Sequence, residues 1–146
     1  EVGRGAGVGT ALNVPLPTKV GDEGYRRVFE SLVWPLVERF DPDLVLVSAG
    51  YDGHWDDPLA HMSLSLTGYA RMSQELVAMA DQLCEGRIVY TLEGGYNLDV
   101  LGYGVLNAFH ALMRDEAVVD PIGPAPRPER RIDDLLEHLK DLHELN

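Results

Sequence analysis

At 146 residues the chain is long enough for one domain with one core and short for two, and its 45% hydrophobic content excludes wholesale disorder. Lys and Arg total 12 against 24 Asp and Glu, a formal net charge of -12 that argues against both a nucleic-acid-binding face and an anionic membrane surface. A cationic substrate or partner suits this balance.

The chain opens at Glu1 and runs directly into Gly3 to Gly9, so it reads as beginning inside a larger domain. The glycine-rich stretch is expected to form a closely packed structural loop. A phosphate cradle is disfavoured, because a dinucleotide fingerprint follows a strand and opens a helix, and this one leads into Thr10 to Pro17. That segment predicts a short strand closed by prolines. Helical spacing of Val28, Leu32, Val33, Leu36, Val37 and Phe40 predicts a helix over Asp22 to Phe40, kinked near Trp34 by Pro35. Leu44 to Ser48 is a continuous apolar run, which suits a strand buried on both faces. A polar burst follows it: Asp52, His54, Asp56, Asp57 and, further on, His61.

A second helix is predicted over Leu64 to Leu83, with Thr67 as N-cap and Gly86 as stop signal. Cys84 sits near its end; as the single cysteine it permits no internal disulfide and fits a reducing, cytoplasmic compartment. Arg87 to Leu92 predicts another buried strand, ending in Glu93-Gly94-Gly95-Tyr96-Asn97. A third helix covers Leu98 to Met113, with Leu101, Val105, Ala108, Phe109 and Leu112 inward. Prolines at 121, 124, 126 and 128 mark residues 121–129 as a linker. Residues 130–146 hold a charged amphipathic helix, with Ile132, Leu135, Leu136, Leu139 and Leu142 on one face, expected to dock on the domain or a neighbouring chain. Residues 1–120 are left as the catalytic part. No apolar run approaches the ~18 residues needed to span a bilayer, and no signal-peptide pattern opens the chain.

Strand, helix, strand, helix, strand, helix is the order of an α/β domain with a parallel sheet flanked by helices. In such a sheet, ligands bind past the carboxyl ends of the strands. Carboxylate and imidazole at one strand end suggest a divalent metal such as zinc or manganese. A tyrosine after paired glycines can donate its hydroxyl to an oxyanion.

Ser48-Ala49-Gly50-Tyr51-Asp52-Gly53-His54 with Asp57-Pro58-Leu59, then Leu92-Glu93-Gly94-Gly95-Tyr96, resembles the C-terminal part of the zinc-dependent histone deacetylase family, which includes bacterial deacetylase-like amidohydrolases and acetylpolyamine amidohydrolases. Leu12 to Pro17 matches the same pattern. The resemblance spans roughly Gly3 to Leu112 and implies part of the arginase-deacetylase fold, three strands of the family's eight. It implies hydrolysis of an acetyl group from a lysine-like or polyamine-like amine. By that resemblance Asp52 is a zinc ligand and Tyr96 the oxyanion donor. Leu59, Gly94 and Gly95 line the substrate tunnel.

The family's upstream Asp-x-His ligands have no counterpart here, nor does its pair of adjacent histidines; the sequence contains no His-His dipeptide. With Asp52 as the one ligand of the family set, the isolated chain is expected to hold zinc poorly and to be inactive. A turn or cap role is the plainer alternative for Asp52, and a core role for Tyr96. His54 is read as a packed histidine supporting the ligand. Its spacing from Asp52 also faintly echoes a second metal ligand of the arginase-like ureohydrolases. Asp56 and Asp57 read as turn residues before Pro58, Glu93 as a salt-bridged or backbone-orienting residue. His61, His110, His138 and His143 read as surface or packing histidines.

Two further readings stay open: a binuclear manganese enzyme of the ureohydrolase kind, and a non-catalytic binding or assembly module. Expected partners are the acylated amine, and either a separate N-terminal half or a second copy of the chain; nucleic acid and membrane are not expected.

Overall fold

The structure is a computed structural model and describes residues 2–145. Glu1 and Asn146, the outer ends of the expected divisions, lie outside the described residues. The glycine-rich opening bonds to itself in one short 3-10 turn, Gly5–Gly7. Thr10 to Pro17 is not a strand. It joins no ladder among the described residues, and the only bonded sheet is the pair described below. Pro15 and Pro17 lack the N–H a ladder requires. Leu12, Val14 and Leu16 instead pack their side chains against a buried cluster.

The first helix keeps its expected span, and its disturbance takes the form of a widened turn just ahead of Trp34. It runs as α1 (Asp22–Val28), a π turn (Phe29–Val33) and α2 (Trp34–Phe40), with helical dihedrals at both joints. Pro35 sits in the first turn of α2, where its missing N–H is tolerated once the preceding turn widens. The helix stops at Asp41 in the left-handed conformation, φ 54°, before Pro42. Its start is closed from far along the chain. The Glu129 carboxylate accepts the N–H groups of Gly21 (2.7 Å), Glu23 (3.1 Å) and Gly24 (3.1 Å).

β1 (Val45–Ala49) and β2 (Ile88–Leu92) pair in parallel, with Val45 opposite Ile88 and Ala49 opposite Leu92. They are joined through α3 (Leu66–Cys84), and β2 leads into α4 (Leu98–Leu112). The strands are covered on one face rather than two. Val45, Val47, Ala49, Ile88 and Tyr90 are half-buried, whereas Leu46 is 72% and Val89 49% exposed. The N-cap of α3 is Ser65, whose Oγ accepts the Gly68 N–H at 3.1 Å. Thr67 lies inside the helix and gives its N–H (3.0 Å) and Oγ1–H (2.9 Å) to Asp120. On α4 the inward positions are Val100, Gly104, Asn107, Ala108 and Ala111; Phe109 is exposed.

Two buried clusters result. In one, α5 (Asp133–Leu142) brings Leu136 and Leu139, with Ile132 just ahead of it, against Val20, Val28 and Leu32. The expected stripe is shortened, since Leu142 is 45% exposed. The other holds Tyr51, Leu64, Leu66, Tyr69 and Val100, directly under the loop that follows β1. Between the clusters the segment after α4 is bonded down. Asn107 exchanges two hydrogen bonds with Val119, and Trp55 Nε1–H reaches Gly123 O at 2.9 Å.

Candidate active site

Both strands end on the same edge, because they are parallel and in register. Their pairing continues past the strands themselves: Glu93 N–H donates to Ala49 O at 2.9 Å, and Tyr51 N–H to Gly94 O at 2.8 Å. Two loops are thereby held side by side, Gly50 to Leu59 and Glu93 to Asn97. Beneath them the Tyr51 and Tyr69 rings meet at 5.1 Å and 48°. Burial, with the neighbouring Tyr90, pushes the Tyr51 phenol up to about 12, and burial likewise raises Tyr69, so both stay neutral supports of the floor.

Asp52 lies between two glycines. A Cβ on Gly50 would sit 2.9 Å from its Oδ1, and one on Gly94 would sit 3.0 Å from the same oxygen. The carboxylate therefore occupies space that only glycine leaves open. Its charge also raises the pKa of Tyr25, after the larger effect of burial. Gly95 has φ 138°, a conformation that disfavours a side chain, and a Cβ there would meet Leu101 and Tyr51. That turn delivers Tyr96, whose side chain is 57% exposed; Leu59 is equally exposed at 57%.

His54 stands apart from this surface. It is fully buried, its ring stacks on Trp55 at 5.6 Å, and its Nδ1 accepts the Asp56 N–H at 3.1 Å. Burial lowers its pKa against the opposing pull of Asp120, Asp56, Asp22 and Asp57, so the ring is neutral with its proton on Nε2. Nε2 has no hydrogen-bond partner among the described residues. Glu93 accepts the Ser48 hydroxyl at 2.6 Å.

Asp57, expected only as a turn residue, does more than turn the chain. It is 6% exposed, and both of its oxygens are occupied. Oδ2 accepts the N–H groups of Tyr96 (2.8 Å) and Asn97 (3.1 Å), and Oδ1 accepts that of Leu59 (3.0 Å). In sequence, Asp before Pro reads as a turn, and the turn is real; the carboxylate's reach to residue 96 is a long-range contact with no local signature. The Asn97 side chain completes the joint. Its Oδ1 caps α4 through Asp99 and Val100 N–H, and its Nδ2 donates to Asp56.

The other carboxylates of this edge, those of Asp56, Asp57 and Glu93, accept hydrogen bonds from within the chain. Among the described residues no group of three His, Cys, Asp or Glu side chains is arranged to hold a metal ion. A zinc site, which takes three protein ligands, cannot be completed from these residues.

The parallel pair thus presents a glycine-cradled carboxylate beside a glycine-turned tyrosine, in a chain whose fold is that of histone deacetylase domains, the arginase-deacetylase fold. The histone deacetylase domain family matches residues 1–112, and the chain belongs to that family. The chain is 40% identical over 147 aligned residues to histone deacetylase 14, chloroplastic, of Arabidopsis thaliana, covering 98% of this chain and 35% of that protein. A probable deacetylase of Archaeoglobus fulgidus is 44% identical over 99 residues, covering 68% of this chain and 28% of its own length.

Among solved structures, the histone deacetylase Clr3 superposes with a TM-score of 0.80 at 30% identity, over 97% of this chain and 23% of that one. The HDA15 HD domain gives 0.79 at 30%, over 97% and 36%. The chain spans about a third of the length of curated relatives that it matches along nearly all of itself. No helix among the described residues is long and apolar enough to cross a membrane.

Proposed function

We propose that this chain supplies the Asp52 and Tyr96 side of an active site that hydrolyses acetyl groups from lysine-like or polyamine-like amines. One observation carries the reading: the Asp52 carboxylate lies against the backbone of Gly94, in the loop that turns Tyr96 outward. Asp52 would be one of the ligands that hold a zinc ion, the remaining ligands coming from outside the described residues. When bound, zinc supplies Lewis-acid polarisation of the amide carbonyl and an activated water. Tyr96 holds its phenol O–H toward the carbonyl oxygen and donates to it as negative charge develops. Leu59, with the Gly94-Gly95 backbone, flanks the acyl-amine chain and excludes water from it. Proton transfer to the leaving amine falls to groups outside the described residues, so the isolated chain is inactive.

Residues 1–120 act in this reading as the catalytic part, 121–129 as the connection and 130–146 as the closing helix. The upstream half, or a second copy, is the partner, and the cytoplasm is the compartment. Membership in the deacetylase family supports this chemistry over a binuclear manganese site or a purely binding role.

The test is deacetylation of an acetyl-lysine peptide and of an acetylpolyamine by the protein expressed from its complete reading frame, with metal content measured on the same samples. Tyr96→Phe is expected to lower kcat by about 10²- to 10³-fold with zinc retained. Asp52→Asn is expected to lower both activity and bound zinc. A wild-type protein that carries two manganese ions, or that leaves both substrates untouched, overturns the proposal.

A further inference from the structure

Asp57 joins the parts of this site that the chain keeps furthest apart. It sits in the loop after β1, yet its carboxylate is bonded to the loop after β2, 39 residues away. It has no room to adapt, being 6% exposed with acceptors engaged on both oxygens. The two N–H groups on Oδ2 belong to consecutive residues, Tyr96 and Asn97, so the plane and direction of that backbone are fixed at two points. The Tyr96 side chain itself is 57% exposed and gains little orientation from packing. Leu59, on Oδ1, is equally exposed and equally dependent on its backbone. One carboxylate therefore holds the backbone that carries the phenol and the backbone of one wall beside it.

Resting on the deacetylase reading above, we infer that Asp57 is a positioning residue of this reaction, acting through the Tyr96 and Asn97 amides to aim the Tyr96 hydroxyl at the oxyanion. Its carboxylate is needed as a pure acceptor. An asparagine of the same shape has one oxygen and one NH2 group, so in either orientation the NH2 faces a backbone N–H, that of Leu59 or those of Tyr96 and Asn97, donor against donor. The loop must then shift, and a displacement of about 1 Å at a reacting group is worth about 100-fold in rate.

The experiment compares Asp57→Asn, Tyr96→Phe and the double variant in the protein expressed from its complete reading frame. Kinetics on an acetyl-lysine peptide are read alongside amide hydrogen exchange. D57N is expected to lower kcat by about 10- to 100-fold, with KM held within about twofold. In the Y96F background the same change is expected to have little further effect, because the phenol it aims is gone. An equal drop in both backgrounds, or no drop in the wild-type background, overturns the inference.

Hydrogen exchange supplies a readout that needs no activity and, on the unsubstituted protein, no folded variant. The Tyr96 and Asn97 amides are expected to be protected, and D57N to expose both while β1 and β2 stay protected. Wild-type amides that exchange freely at 96 and 97 overturn the inference even if the enzyme is active. If the wild-type protein leaves acylated amines untouched, the functional reading fails, and exchange alone decides whether Asp57 holds this loop.

Discussion

A single methyl group at residue 94 is enough to test how the site is built. The Cβ of an alanine there would lie 3.0 Å from Asp52 Oδ1, 3.1 Å from Cγ and 3.3 Å from Oδ2. The clash is with the head of a short side chain held between two backbone segments, so the carboxylate must turn away. Gly94→Ala is expected to cost roughly 10- to 100-fold in kcat/KM, with weaker retention of zinc. Metal content and steady-state kinetics on the same sample check it, and unchanged values for both would count against the cradle.

His54 gives a second prediction at this scale. Burial holds its pKa below the ordinary 6.5, so between the two values the unfolded chain binds the extra proton. Stability therefore rises with pH through that window, and is lost as pH falls from 6.5 toward the folded value. His54→Gln is expected to be less stable overall but to lose this part of the slope, read from urea unfolding between about pH 5 and pH 8. Asp52 and Tyr96 stood out in the sequence because each follows a strand and adjoins glycine. Asp57 did not, because its partners are backbone amides, which are the same at every residue and leave no mark on sequence.

Elements were legible where periodicity alone decides them and were misread where a distant residue decides. The two parallel strands and the span of each long helix follow from apolar spacing. The N-cap of α3 does not: Ser65 and Thr67 are both capping residues by type, with serine somewhat the better. Asp120, 53 residues away, takes the Thr67 donors, while the Asp22 carboxylate takes both the Ser65 N–H (2.8 Å) and its hydroxyl (2.5 Å), and the hydroxyl oxygen accepts from Gly68. Pro35 announced a disturbance correctly, but its form, a widened turn inside a continuous helix, depends on Leu32 and Val28 staying buried against α5.

The start of α1 is another such case. No residue near Gly21 caps it, and the three amides there are taken by Glu129. Glu129→Ala is expected to destabilise the fold by about 1–2 kcal/mol, the usual range for a lost helix cap. Thermal unfolding measures it. A variant as stable as the parent would show that water replaces the carboxylate at no cost.

At the scale of the whole molecule, two tendencies oppose each other, and ionic strength decides between them. The sheet has two strands, so each keeps one edge without a ladder partner among the described residues. Its outer face carries Leu46 at 72% and Val89 at 49% exposure, and Leu92 adds 55% at the end of β2. Unpaired edges beside exposed apolar side chains favour pairing with another chain. A formal net charge of -12 favours keeping two copies apart.

The repulsion acts over a Debye length of about 10 Å at 0.1 M salt and about 3 Å at 1 M, while hydrophobic contact is not screened at all. The purified 146-residue chain is therefore expected to sediment with a rising average mass as salt increases. Leu46→Lys with Val89→Lys is expected to suppress that rise with little loss of stability, since both side chains already face solvent. Sedimentation velocity in low and high salt, with urea unfolding as control, separates the alternatives. Association that weakens with salt would mean that ion pairs, not the open sheet, bring the copies together.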